Sequence, residues 1–283
     1  MRFRRSELLL ACYFVYVAAL AVVRPLPPQT KWLTVALNAA IIGWFCLFAF
    51  AHAGRGFRTL DYVRDWYPVP LLLLAYRQMG WIALPAPDRA FENYWIGFDW
   101  WLLNSAGLRA AIEALGPVGP NLLELSYLLV YGVPVFAVAV CYRGARQYLD
   151  DVYSLLLLGT LTAYAFYPFF PSIPPRLAFP EADLPMESLI RRLNWVILGN
   201  YSITASVFPS GHSAAAFAAA FGVRKYLPHR PRTGWALLML AVLIATATIY
   251  GRYHFAIDTL AGLGTALFAL AVSALWDRRA GRE

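Results

Sequence analysis

The residues best suited to chemistry lie in three short runs, each at the end of an apolar stretch. In Tyr250-Gly251-Arg252-Tyr253-His254-Phe255-Ala256-Ile257-Asp258 a histidine precedes a carboxylate by four residues. On a helix that spacing sets both on one face, where the carboxylate can accept the imidazole N–H, fix its tautomer and make the other nitrogen more basic. Phe208-Pro209-Ser210-Gly211-His212-Ser213 opens another apolar stretch. Its proline suits a first turn, and the hydroxyl, N–H and imidazole that follow sit at the positive end of a helix, an anion site suited to phosphate. Pro171-Ser172-Ile173-Pro174-Pro175-Arg176 leaves a third stretch, and six prolines between 168 and 185 exclude a continuous helix there. Arg176 is therefore expected on a stiff, extended segment. Each run also has a plainer reading: a His–Asp pair satisfying itself, a capped helix start, a snorkelling arginine. Their coincidence in one chain favours the chemical one.

The surroundings of these runs identify the solvent. Of 283 residues, 60% are hydrophobic and only 14% charged, and the mean hydropathy is +0.53. A soluble domain needs about 25% charged residues to coat its core, so the chain reads as a polytopic membrane protein of all-α class. Crossing the hydrocarbon takes roughly 20 apolar residues in a helix. Such stretches run over 7–23, 32–53, 66–84, 121–141, 152–171, 209–227, 234–252 and 255–276, which predicts a transmembrane helix bundle of about eight spans. The third contains Pro68, Pro70, Arg77 and Gln78, but omitting it would put the arginine-rich N-terminus opposite the other basic loops. The first is followed by Arg24, Pro25 and Pro27 rather than a small-residue cleavage site, unlike a signal peptide.

The net charge of +8 would suggest nucleic acid in a soluble chain; in a membrane chain the basic residues instead report orientation. With both termini cytoplasmic, 15 of the 24 Lys and Arg fall on the cytoplasmic side and all three polar runs face outward. The long outer segments, 85–120 and 172–208, each contain an interfacial-looking helix. In 92–114, Trp95, Trp100, Trp101 and Leu102 oppose Glu92, Asp99 and Arg109; in 184–197, Leu189, Ile190, Leu193, Val196 and Ile197 oppose Glu187, Arg191 and Arg192. No linker marks a second folding unit, so residues 1–283 read as a single membrane domain, with N-terminal spans and an interfacial helix in 1–120 and the catalytic core in 121–283. Cys12, Cys46 and Cys141 lie in apolar stretches and read as buried small hydrophobes. His52 and His229 sit at cytoplasmic span ends, outside the chemistry, and the run Arg58–Asp65 reads as a surface amphipathic segment.

Pro209-Ser210-Gly211-His212, followed by His254 and Asp258 and preceded by an arginine at a span exit, resembles the type 2 phosphatidic acid phosphatase (PAP2) superfamily. Pro174-Pro175-Arg176, Tyr250-Gly251-Arg252-Tyr253-His254 and Asp61-Tyr62-Val63-Arg64-Asp65-Trp66 are most similar to its subgroup that includes inositol phosphorylceramide synthase. Phe169 and Leu177 stand where the family has lysine and proline, and Thr248 stands where it has arginine. Arg252, two residues before His254, is read as supplying the missing charge.

The resemblance implies catalytic roles for His254, His212 and Asp258, phosphate binding by Arg176, Ser210, Gly211 and Arg252, and neither metal nor cofactor. His254 would attack phosphorus, held by Asp258, while His212 protonates the leaving oxygen and then activates the acceptor. A site at the mouth of a bundle implies an amphiphilic substrate in the bilayer, a lipid phosphate or a prenyl phosphate or pyrophosphate. Water as acceptor gives a phosphatase; a lipid alcohol gives a phosphotransferase like the synthase. Two other readings stay open: a zinc hydrolase built on His212, His254 and Asp258, and a transporter with relaying histidines, disfavoured because no span interior carries an acidic residue.

Overall fold

The computed structural model describes residues 3–51, 58–84, 89–180, 183–203, 207–279 and 281. Helix is its regular structure, and no strand occurs among the described residues. All eight stretches expected to span are helical. α1 (Arg5–Val23) and α2 (Pro28–Ala51) lead to a short α3 (Arg58–Trp66) and to α4 (Pro68–Ile82). Residues 90–113 hold α5 (Ala90–Trp100) and α6 (Leu108–Glu113) around one π-helical turn. After α7 (Val118–Leu129), α8 (Val133–Gly144) and α9 (Leu149–Phe166) come the single turn α10 (Pro175–Ala178) and α11 (Leu189–Tyr201). The chain closes with α12 (Gly211–Tyr226), α13 (Pro231–Tyr250) and α14 (Ala256–Arg279).

Among the described residues, five segments are long and apolar enough to cross a membrane alone: those of α1, α2, α9, α13 and α14. The expected straight span over 121–141 is instead α7 and α8 meeting at 62°. Pro134 explains the break: it offers no N–H to the Val130 carbonyl, and its ring collides with it. The expected helix over 92–114 is likewise divided, with Gly107 at φ +79° between its halves. α4 and α12, at 15 and 16 residues, are shorter than these five helices.

α12 forms the axis of the bundle, walled by α9, α13 and α14. Ala214, Ala215, Ala216, Ala218, Ala219 and Ala220 are all buried, and small side chains let helices without a strong hydrophobic drive approach closely. Polar side chains turn inward and aromatic ones outward. Glu92 and Asp99 are buried while Trp100 and Trp101 are exposed, and in α11 Arg191 and Asn194 are buried while Leu189 and Val196 are exposed. Of the charges expected to face water, Glu92, Asp99 and Arg191 turn into the protein, whereas Glu187 and Arg192 are exposed and Arg109 is half-buried.

Charges also meet inside the opposite end of the bundle. Glu7 accepts from Arg64 Nε at 2.6 Å and from the Tyr67 hydroxyl at 2.8 Å. Asp65 holds Arg4 at 2.8 Å and Arg146 at 2.5 Å, and Asp151 holds Arg5 at 3.1 Å. The run over 58–65 is thus no plain surface helix, since Arg64 and Asp65 are buried in this clasp. Arg77 donates to the Tyr201 carbonyl at 2.9 Å. Of the cysteines, Cys141 is buried as expected, Cys46 half-buried and Cys12 exposed on the apolar flank; all are free. His229 is exposed, and His52 lies outside the described residues.

Candidate active site

The three polar runs, up to 87 residues apart, are knitted together through their backbones. Ser210 N–H donates to the Asp258 carbonyl at 2.8 Å, and Arg176 N–H donates to the Arg252 carbonyl at 2.9 Å. Two carboxylates from α5 brace the assembly: Glu92 accepts from Ile173 N–H at 2.6 Å and Asp99 from Ala256 N–H at 2.8 Å. The former holds the proline-rich segment before Arg176. The latter supports the first residue of α14.

Within this frame the two histidines meet, His212 Nδ1 lying 3.2 Å from His254 Nε2. Asp258 stands behind His254, with Oδ2 3.4 Å from its Nδ1 and at the same time accepting from Phe255 N–H at 2.9 Å. The carboxylate is therefore fixed by the backbone and sits just beyond hydrogen-bond length of the ring, as ligand-free catalytic pairs often do. An acceptor oxygen of Asp258 facing Nδ1 favours the His254 tautomer with its proton there, which leaves Nε2 as acceptor toward His212. Burial, reinforced by the Arg176 charge, lowers the His254 pKa to about 3, so its imidazole is neutral and holds a lone pair. His212 is flanked by the rings of Tyr127 and Tyr131, at 5.4 and 5.7 Å between centroids.

Around the imidazoles is a cavity of about 20 Å³, lined by Tyr76, Tyr127, Tyr167, Arg176, Ser202, Tyr253 and neighbouring apolar side chains. That is about one water molecule's worth of room, so a phosphoryl group has to part the histidines. Arg176 is its one cationic lining residue among those described; it donates to Ser202 Oγ at 3.3 Å, and burial lowers its pKa. A larger apolar groove of about 550 Å³ between the α7–α8 bend and α13 shares no lining residue with this cavity.

The remaining expected site residues are placed differently. Ser210 caps α12 by accepting from Ser213 N–H at 3.2 Å, and the Gly211 N–H is taken by the Tyr167 hydroxyl at 3.2 Å. The Arg252 guanidinium does not line the cavity. It lies 3.7 Å over the Phe179 ring and 3.7 Å from Asp99 Oδ2, on a backbone at φ +62°. That left-handed conformation costs a non-glycine residue roughly 1–2 kcal/mol, and it turns the Arg252 carbonyl toward Arg176. Phe169 is exposed beside Arg24, and Thr248 is buried against Thr259 Oγ1 at 3.0 Å.

Sequence reasoning missed the tyrosines and the network beneath them. Tyr253 stacks on Tyr127 at 3.8 Å and donates to Glu124 at 2.5 Å; Glu124 also accepts from Arg191 at 2.6 Å and Asn194 at 2.8 Å. Arg191 donates in turn to the Gly251 carbonyl at 3.2 Å. Glu124, only three residues inside the fourth expected span, was the available signal, since a buried membrane carboxylate needs a partner. Among the described residues no group of three or more His, Cys, Asp or Glu side chains is arranged to hold a metal.

A sequence model of the PAP2 superfamily matches residues 93–272, which contain all three runs. A PA-phosphatase related-family protein of Dictyostelium discoideum is 44% identical over 63 residues, 22% of this chain and 11% of that protein. The chain thus spans about a tenth of the length of that relative. No solved structure matches.

Proposed function

This chain belongs to the PAP2 superfamily, and from that premise we propose that it is a membrane-embedded lipid phosphate phosphatase working through a phosphohistidine. The observation that carries the reading is the line Asp258, His254, His212, with 3.4 and 3.2 Å steps, beside Arg176 in one cavity. With substrate between the rings, His254 Nε2 forms a bond to phosphorus as the ester P–O bond breaks. The leaving oxygen takes a proton from His212. Water then gives its proton to His212 and attacks phosphorus, the N–P bond breaks, and phosphate leaves. Arg176 stabilises the oxygens that carry the charge.

The substrate class follows from the setting, a cavity at one end of an apolar bundle: a lipid phosphate or prenyl (pyro)phosphate with its chains in the bilayer. We place eight spans in the membrane, counting α4, the bent α7–α8 pair and α12, with both termini cytoplasmic and the site extracytoplasmic. The basic residues at the termini and in the α2–α3, α8–α9 and α12–α13 connections support that orientation. The zinc reading lacks a suitable donor group among the described residues.

Phosphate release by the purified chain, measured over a panel of lipid phosphates with and without EDTA and acceptor alcohols, tests the proposal. Release is expected to withstand EDTA and to vanish in His254→Ala while the protein remains folded; normal turnover in that variant would refute the nucleophile. Product phosphorylated on an added lipid alcohol would identify the phosphotransferase instead, on the same histidines.

A further inference from the structure

Two phenols in the cavity wall share a feature the histidine mechanism does not use. The Tyr167 hydroxyl oxygen accepts the Gly211 N–H at 3.2 Å, and the Tyr76 hydroxyl oxygen accepts the Ile203 N–H at 3.0 Å. Each oxygen is thus engaged as an acceptor from behind, which leaves its own proton to donate elsewhere. Both residues line the cavity, while Gly211 does not. Tyr253, in the same wall, contrasts with them, because its proton is committed to Glu124 at 2.5 Å.

Gly211 is the first residue of α12, and its N–H is among those that carry the positive end of the helix. Tyr167 stands between that N–H and the cavity, and a hydroxyl that accepts one hydrogen bond becomes a stronger donor for the next. Position 211 admits no side chain: a Cβ there would lie 2.4 Å from the Tyr164 ring and 2.9 Å from Tyr167 Oη. Tyr167 itself is only 2% exposed. A doubly charged phosphoryl group meets one cation, Arg176, among the described residues of this wall, so its remaining oxygens need neutral donors.

We propose that the hydroxyls of Tyr167 and Tyr76 bind the substrate's phosphoryl oxygens directly, Tyr167 passing on the α12 N-terminus through Gly211. The proposal rests on the phosphatase reading and adds two residues to its phosphate site. It also revises the part of Gly211, whose N–H polarises a phenol instead of touching phosphate.

The test compares Tyr167→Phe, Tyr76→Phe, His254→Ala and Tyr94→Phe, the last an exposed phenol, in the purified full chain. The readouts are kcat/KM for a lipid phosphate, affinity for orthovanadate and melting temperature. Tyr167→Phe and Tyr76→Phe are each expected to lose roughly ten- to hundredfold in both kcat/KM and vanadate affinity, the range for a neutral donor to a charged group. Tyr94→Phe should lose neither. Site-specific 3-fluorotyrosine at 167, a stronger donor and weaker acceptor, should tighten vanadate; a phenol that merely held Gly211 would loosen it. Vanadate affinity within twofold of wild type in both phenylalanine variants overturns the proposal, as does a wild-type chain that binds no vanadate. Should Tyr167→Phe fail to fold, Tyr76→Phe and the fluorinated chain decide. Normal turnover in His254→Ala defeats the parent reading alone, because vanadate affinity still reports on the phenols.

Discussion

Gly262, one turn beyond Asp258 on α14, packs directly against the start of α12, the helix that carries His212. A Cβ at 262 would stand 2.4 Å from the Ser210 carbonyl, 3.1 Å from Ser213 Cβ and 3.2 Å from Ala214 N. These atoms belong to the start of α12, chiefly its backbone, so no side chain can swing aside. Comfortable contact begins near about 3.5 Å, and the start of α12 must therefore back away from α14 by about 1 Å. His212 rides on the first turn of α12 and His254 is anchored beside α14, so the 3.2 Å between them widens with that movement. A misplacement of about 1 Å costs on the order of a hundredfold in rate, and the overpacking costs about 1–3 kcal/mol of stability. Gly262→Ala should accordingly reduce kcat for lipid phosphate hydrolysis about a hundredfold while the protein still inserts and folds. Alanine is the better helix former, so loss of helix propensity cannot explain the defect. Gly264→Ala is the internal control, since a Cβ there meets nothing within 4 Å. A Gly262→Ala enzyme with wild-type kcat, or equal losses at 262 and 264, refutes the close-approach reasoning.

Three further outcomes follow from the frame around the histidines. Arg252→Ala should lower kcat/KM about tenfold or more, against little change for Arg109→Ala, whose ion pair with Glu113 is partly exposed; equal effects in steady-state assays would leave Arg252 without a role in the turn. Burial pushes Asp99 up to about 7, against the opposing pull of Ala256 N–H and Arg252. Asp99 gains a proton as pH falls through that value and Arg252 loses its counter-charge, so kcat/KM should fall on the acid side of neutrality. The Asp99→Asn profile should lack that step; an unchanged profile would contradict the link. Glu124→Ala should destabilise the fold by roughly 3–5 kcal/mol, because Arg191 is left buried without its carboxylate; equilibrium unfolding in detergent would read it, and a loss below about 1 kcal/mol would argue against a paired Arg191.

The polar runs that meet around the cavity were legible because their residue types are costly beside hydrocarbon. His212, His254, Asp258 and Arg176 could be identified one motif at a time, and the backbone bonds from Ser210 to Asp258 and from Arg176 to Arg252 bring the runs together. The expected helical stretches were legible too, since apolar length is itself the signal. Facing was not. Asp99 and Arg191 were expected on the wet side of interfacial helices, and they turn into the protein instead, where backbone and carboxylate partners await them. Tyr76 and Tyr167 escaped notice for a different reason: a tyrosine in an apolar helix is ordinary, and only the tertiary structure shows its oxygen against a particular N–H. Arg252 was assigned to phosphate by its distance from His254 in sequence, which says nothing about a left-handed backbone that turns the guanidinium toward Phe179.

The ionic clasp at the far end of the bundle bears on how the protein is made. Glu7 takes Arg64 from 57 residues further on, and Asp65 takes Arg146 from 81 residues beyond itself. At about 5–20 residues per second, Arg146 reaches Asp65 roughly 4–16 s after Asp65 itself is synthesised. Arg4 and Arg5 are made before their partners Asp65 and Asp151, so those bonds close only when the later carboxylates arrive. The clasp thereby ties the chain's first residues to segments made later, and charges spread along the growing chain are gathered inside the finished bundle.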